Sequence, residues 1–208
     1  MTSPVRIGLI GMGTVGTGVV RVLQDSAEHI SRQAGRAVIV DHVVVQNSSK
    51  PRSIELPGHK ISNEFARVRD NPEISIVALL LGGLEPARTL AIELLKSGKD
   101  LVTANKALLA EHGPELFEVA HKAGRSIAFE AAVAGGIPIV AAISECLTGN
   151  QISSIRGILN GTSNFILTKM EQDGSDYHEV LQLAQAEGYA EADPTMDVDG
   201  TDATQKLA

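Results

Sequence analysis

The sequence predicts an α/β fold: a parallel sheet covered by helices on both faces, followed by a smaller α+β domain. Three observations carry this. Short apolar segments alternate with amphipathic ones from residue 5 to residue 133. The apolar segments are unbroken runs rich in β-branched residues, not polar–apolar alternations. After the small-residue stretch VAGGIP the alternation gives way to a different, helix-rich pattern. Strands buried on both faces read as continuous apolar runs, and strand–helix alternation joins parallel strands. The boundary is placed near Gly135, giving domains 1–134 and 135–208.

In order, VRIGLIG (5–11) is the first strand, and TGVVRVLQDSAEHISRQAG (17–35) carries helical spacing through Val19, Val20, Leu23 and Ile30. AVIVDHVVVQ (37–46) and SIVALLLGG (75–83) are further strands. EPARTLAIELLKSG (85–98) is a helix, with Pro86 at its start and Gly98 where a left-handed C-cap belongs. KDLVTAN (99–105) is a strand, PELFEVAHKAG (114–124) a helix and SIAFEAAV (126–133) a strand. Beyond the boundary, IPIVAAISECLTG (137–149) reads as a helix and QISSIRGILNG (151–161) as a strand. NFILTKMEQDG (164–174) and DYHEVLQLAQAEG (176–188) read as two more helices.

Composition narrows the partners. The chain of 208 residues carries a net charge of -7 and has no long Lys/Arg run, which argues against nucleic acid. Its longest apolar run is too short to span a bilayer, so a membrane is not an expected partner. The N-terminus has no basic region ahead of an apolar one, and the lone Cys146 fits a reducing compartment; both point to the cytoplasm. Cys146 lies in an apolar stretch and is expected to be buried and inert.

Gly11-Met12-Gly13-Thr14-Val15-Gly16 is a G-x-G-x-x-G that follows a strand and opens a helix. In that context Gly11 permits a tight turn, Gly13 admits a pyrophosphate close to the backbone, and Gly16 lets helix and strand pack. The helix N-terminus offers unspent N–H groups. A Rossmann dinucleotide site is the reading. The second strand ends in Gln46-Asn47 without the carboxylate that would hold an NAD ribose. Lys50 and Arg52 follow, suited to the 2′-phosphate of NADP or to a solvated basic loop. Asp41 lies inside the strand, away from the ribose edge.

Thr103, Ala104, Asn105 and Lys106 fall at the carboxyl end of a parallel strand, where open α/β sheets bind ligands. Glu130, in EAAVAGGIP, brings one carboxylate to a stretch where backbone carbonyls converge; this suits either a weakly held hard cation or a tight interdomain bend. In EADPTMDVDGTDATQK the order of acids and glycine does not match a calcium loop. Asp199-Gly200-Thr201 starts a helix, with Asp199 or Thr201 as cap. Asp202 and Lys206 stand at i and i+4 on one face: either a surface ion pair worth ~0.3–0.5 kcal/mol or a carboxylate that positions a catalytic ammonium. Asp193, Asp197 and Asp199 read as turn and cap residues, while Glu191 is placed to hold a substrate ammonium.

Five motifs in order, GLIGMGTVGTGVV, GKDLVTANKALLA, FEAAVAGGIPIV, LNGTSNFILTKM and AEGYAEADPTMDVDGTDATQKLA, resemble the homoserine dehydrogenase family across essentially the whole chain. The resemblance implies a Rossmann domain followed by the first part of a catalytic and dimerisation domain. The implied activity is the reversible NAD(P)-dependent interconversion of L-homoserine and L-aspartate 4-semialdehyde, in threonine, methionine and isoleucine biosynthesis. By the same resemblance, Gly11, Gly13, Thr14, Val15, Gly16, Thr103, Lys106 and Gly188 contact the cofactor. Lys206 and Lys106 are the active-site lysines, Lys206 the proton donor, and Glu191 and Asp202 bind the amino-acid substrate. A sodium or potassium ion is implied at Glu130, Val133, Gly135 and Ile137. The resemblance also implies a homodimer and a catalytic region continuing past Ala208, so the chain is expected to be an N-terminal fragment. Another amino-acid or semialdehyde dehydrogenase, or an inactive nucleotide-binding fragment, are the alternatives.

Overall fold

The computed structural model describes residues 3–54, 56 and 60–208. They divide into two compact units, Met1–Ala132 and Val133–Ala208. In the first, strands β1 (Val5–Ile10), β2 (Val38–Val44), β3 (Ile61–Ser62), β4 (Ile74–Leu79), β5 (Asp100–Thr103) and β6 (Ile127–Ala128) form one sheet. Its order is β3-β2-β1-β4-β5-β6 and every pairing is parallel. From β1 the chain winds outward in one direction, then returns to β4 and winds the other way. The crevice beyond β1 and β4 is therefore the topological switch point, where ligands of such sheets bind.

Helices α1 (Thr14–Asp25) and α2 (Ala27–Ala34) connect β1 to β2, and α3 (Ala66–Arg69) precedes β4. Helices α4 (Ala87–Lys96) and α5 (Lys106–Ala123) flank β5. Two hydrophobic clusters cover the two faces of the sheet. Leu9, Val43 and Ala78 pack with Val20 of α1. Val77, Leu79 and Leu101 pack with Ala87, Ala91, Leu94 and Leu95 of α4 and Leu108, Leu116 and Ala120 of α5. The α4 residues recur at i, i+4, i+7 and i+8, a single helical stripe. Each fully buried leucine contributes roughly 1.5–3 kcal/mol.

The second unit opens with α6 (Ile139–Ala141), which runs into a π-helical turn at Ala142–Cys146. It then contains α7 (Gly161–Asp173), α8 (Tyr177–Ala186), α9 (Thr195–Val198) and α10 (Thr201–Leu207). Its core is small: Ile166, Val180, Ala184 and Ala190. Among the described residues no helix is long and apolar enough to cross a membrane.

Several elements differ from the sequence reading. The helix expected over 17–35 is two helices that begin at Thr14 and break at Ser26 (φ -109°, ψ 20°). Ser and Asp compete for backbone hydrogen bonds, so Asp25-Ser26 is a weak link in a helical run. The helix expected from Pro114 starts eight residues earlier, at Lys106, because Asn105 caps it; Pro114 lies inside. The strand expected over 126–133 is paired only at Ile127–Ala128. The helix expected over 137–149 is the short α6 and its π-helical turn, and Cys146, expected to be buried, is exposed there. Residues 151–160 form no strand. A strand exists only with a partner, none of the described residues pairs with this segment, and Ile152, Ile155 and Ile158 stay exposed. The short β3 and α3 carry too little periodicity to be read locally.

Candidate functional site

The glycine turn is built by sterics. Gly11 sits at φ +93°, and a Cβ there would lie 2.7 Å from the Leu80 carbonyl oxygen. A Cβ on Gly16 would lie 2.3 Å from the Gly11 carbonyl oxygen, so only glycine lets α1 rise against the end of β1. A Cβ on Gly13 would meet nothing within 4 Å. That position is open in front of α1, and Gly13 is an N-cap with no side-chain cap. Thr14 and Val15, at the helix start, are exposed. Uncapped N–H groups, the positive helix end and open space beside Gly13 together fit a pyrophosphate.

Against this turn lies a cavity of about 520 Å³, lined by Gly13, Thr14, Arg21, Lys50 and Arg52 among others. Sequence reasoning missed Arg21. Its signal is spacing: Thr14, Thr17, Gly18 and Arg21 follow i, i+3, i+4, i+7 along α1 and all line the cavity. Arg52 donates to the carbonyls of Asn47 (2.7 Å), Lys50 (2.7 Å) and Ser48 (3.3 Å), so its guanidinium shapes its own loop. Asp41 is held by Arg6 at 2.6 Å and by Asn71 at 3.1 Å, away from the nucleotide edge.

At the carboxyl end of β5, Thr103 is 1% exposed; its hydroxyl donates to Leu79 O and accepts from the Asn105 amide. Asn105 caps α5 by accepting from Leu108 N at 3.0 Å, and its amide nitrogen donates to Leu81 O and Gly83 O. Both side chains are thus committed to the scaffold, and Lys106, half-buried, heads the helix they anchor.

In the second unit the i, i+4 pair forms. Lys206 Nζ donates to Asp202 Oδ2 at 2.6 Å and to the Leu159 carbonyl at 2.7 Å. Asp202 is 7% exposed, so this is no solvated surface pair. α10 starts from Gly200 in the left-handed region (φ +83°), and Asp199 accepts from Thr201 N at 2.8 Å. Asn160, in the motif LNGTSNFILTKM, donates to Asp202 Oδ2 (2.9 Å) and to Asp197 Oδ1 (2.7 Å). Asp197 therefore faces a polar cluster and is not the turn residue its spacing implied. Asp193 accepts from the Thr195 hydroxyl and amide, which lowers its carboxyl below the usual value.

Glu191 is exposed, two residues beyond a pinned turn. In that turn Gly188 is at φ +80°, Tyr189 stacks on Phe165 at 4.6 Å, and Thr162 donates to Tyr189 O at 2.6 Å. Glu130 opens a 3-10 turn at the end of the first unit. Val133, Gly135 and Ile137 begin the second, in a stretch where Ala134 (φ +47°) and Gly136 (φ +85°) reverse the backbone. Among the described residues no three His, Cys, Asp or Glu side chains form a metal-binding group.

The first unit is thus a doubly wound nucleotide-binding domain of Rossmann type, and the second holds a buried carboxylate–lysine pair. The family described as homoserine dehydrogenase, NAD binding domain, matches residues 11–130, and the homoserine dehydrogenase domain matches residues 138–208. A homoserine dehydrogenase from Synechocystis sp. is 48% identical over 204 residues, 98% of this chain and 47% of that protein. A crystal structure of one from Thiobacillus denitrificans superposes with a TM-score of 0.85 at 46% identity, over 99% of this chain and 47% of that one. A hyperthermophilic archaeal homoserine dehydrogenase, solved in complex with NADPH, superposes with a TM-score of 0.80 at 25% identity, over 98% of this chain and 67% of its own. The chain belongs to the homoserine dehydrogenase family. It spans about half the length of the curated relatives it matches.

Proposed function

We propose that this chain carries the nucleotide domain and the proton-donating lysine of a homoserine dehydrogenase. The reaction interconverts L-homoserine and L-aspartate 4-semialdehyde on the route to threonine, methionine and isoleucine. The observation that carries the reading is Lys206, held by the buried Asp202 in the unit that the family's catalytic domain matches. The bound nicotinamide supplies or accepts the hydride. The chain's own residues do the rest. The backbone of Gly11, Gly13, Thr14, Val15 and Gly16 receives the pyrophosphate, and Gly188 contributes a further cofactor contact; Thr103, expected at the cofactor, is buried and supports the scaffold instead. Negative charge grows on the semialdehyde oxygen during reduction; the Lys206 ammonium stabilises it and gives up a proton, and in the reverse direction the amine takes it back. Asp202 aims that ammonium and helps bind the substrate. Glu191 holds the substrate's amino end, and Lys106 is the second active-site lysine.

NADP is the preferred cofactor in this reading, supported by Lys50 and Arg21 in the cavity lining and by the absence of a carboxylate among the described residues that line it. Sodium or potassium, held by Glu130 and the backbone of Val133, Gly135 and Ile137, belongs to the same proposal, as do a homodimer and a cytoplasmic location. Replacing both ions with a bulky organic cation is expected to lower turnover, and Glu130→Ala to remove that dependence.

The test follows NADPH absorbance with homoserine and with other amino alcohols, in this chain and in the same chain extended to the length of its relatives. Preferential homoserine oxidation is expected. Equal or faster turnover of other alcohols overturns the substrate assignment, and NADPH binding without turnover in the long form overturns the enzyme. Lys206→Ala is expected to lower kcat by about 10²–10⁴-fold with NADPH affinity unchanged. Loss of both together would make the lysine structural.

A further inference from the structure

We infer that Asn160 is a positioning residue for Lys206: its side-chain amide clamps Asp197 and Asp202 in one orientation and so aims the ammonium that Asp202 holds. The inference rests on the reaction proposed above. Three elements meet at this point: the start of α7, α9 and α10. Asn160 precedes α7, Asp197 lies in α9, Asp202 and Lys206 lie in α10, and the Leu159 carbonyl lies one residue before Asn160. Each polar atom of the Asn160 side chain has a defined task. Oδ1 accepts from Ser163 N at 2.7 Å and caps α7. Nδ2 donates to Asp197 Oδ1 at 2.7 Å and Asp202 Oδ2 at 2.9 Å, and a primary amide has two protons for those two acceptors.

Asp202 Oδ2 therefore accepts from Asn160 and Lys206 together, and Lys206 also donates to the carbonyl next to Asn160. The lysine is braced twice from one short backbone stretch, by the Leu159 carbonyl directly and by Asn160 through Asp202. Asp197 is locked in turn, because Ser163 Oγ donates to its carbonyl at 2.7 Å. Two carboxylates pointing at one place repel each other, and an amide that donates to both removes much of that cost while leaving the cation in place. A carboxylate that wandered would let a four-carbon side chain sample many rotamers. Fixing the carboxylate narrows the directions from which Lys206 delivers its proton.

The two tasks of Asn160 separate cleanly by substitution. Serine and aspartate cap helices about as well as asparagine, so Asn160→Ser and Asn160→Asp keep the bond to Ser163 N and lose the amide donor. In the full-length enzyme, Asn160→Ser is expected to fold with a melting temperature lowered by a few degrees for the two lost donors and to keep the KM for NADPH, while kcat falls about 10- to 100-fold, the effect of one charge-assisted hydrogen bond. Asn160→Asp is expected to lower kcat similarly. It also places a third carboxylate beside Asp197 of α9 and Asp202 of α10, the second of which holds Lys206. The basic limb of its kcat profile should therefore move to higher pH, because added negative charge favours the ammonium. An Asn160→Ser enzyme with wild-type kcat and an unmoved pH profile in Asn160→Asp would reduce Asn160 to a helix cap and overturn the inference. A wild-type enzyme without homoserine turnover overturns the reaction and the inference with it. Wild-type turnover with unaffected variants overturns the inference alone.

Discussion

Gly13 and Gly16 sit three residues apart in one motif and are glycine for different reasons. Gly16 needs the absence of a Cβ for the fold itself, since an added carbon would sit 2.3 Å from a backbone oxygen. Gly13 has an ordinary negative φ and open space, so the fold does not require glycine there, and the proposed pyrophosphate contact accounts for it. Gly16→Ala is expected to destabilise the first unit by several kcal/mol, on the order of other backbone overpacking errors. Gly13→Ala should leave the melting temperature unchanged or slightly raised, by about 0.4–1 kcal/mol of stability. It should weaken NADPH binding by roughly tenfold or more, about 1.4 kcal/mol. Thermal melts and a fluorescence titration of NADPH on the two variants check the pair; equal loss of stability in both would remove the distinction. The motif and the division of labour among its glycines were legible in the sequence from the strand–turn–helix context. The particular atoms that forbid a side chain, the Leu80 carbonyl at Gly11 and the Gly11 carbonyl at Gly16, were not, because they depend on the course of the turn.

At the scale of elements, two buried side chains stitch parts of the sheet together. Lys99 is 4% exposed and its Nζ donates to the carbonyls of Asn71 and Ile74, at the entry to β4. Burial pushes its ammonium below the ordinary value of 10.5, with Asp70 partly opposing the shift. The unfolded chain then binds the extra proton between the folded and the ordinary pKa, so stability rises as pH climbs through that window. Urea melts across it should show this gain for the wild type and not for Lys99→Met. At neutral pH Lys99→Met should cost about 1–3 kcal/mol for carbonyls left without a donor. Asn105 does comparable work for α5. Asn105→Ala removes a cap and two donors, at a cost of roughly 2–4 kcal/mol, whereas Asn105→Ser keeps the cap and should recover about 1 kcal/mol of it. The sequence placed the polar group TANK at the carboxyl end of a strand. The structure divides it: Thr103 and Asn105 hold the scaffold, and Lys106 heads the helix.

The whole molecule is two units with unequal cores. The first covers both faces of a six-stranded sheet, while the second has a core cluster of four buried hydrophobic residues and leaves Ile137, Ile158, Leu167 and Leu207 more than 60% exposed. Both tyrosines, Tyr177 and Tyr189, lie in the second unit and the chain has no tryptophan, so intrinsic fluorescence reports on that unit alone. Tyrosine fluorescence is expected to be lost at lower urea than the far-ultraviolet circular dichroism of the sheet and its helices. Coincident curves would mean that the two units unfold as one.

What the residues determined by themselves was everything periodic or local. The alternation of buried strands and helices, the glycine turn, and the i, i+4 placing of Asp202 and Lys206 all follow from repeats of two to four residues. Only the tertiary structure decided what depends on distant chain returning to one place. It recruited Asn160 across 37 residues to Asp197 and 42 to Asp202, and it turned an ordinary helical ion pair into a buried, braced one. It exposed Cys146, and it left 151–160 without a partner strand. Local patterns set which backbone shapes are cheap. Which side chains meet is settled by the contacts that offset the entropy of closing the loops between them.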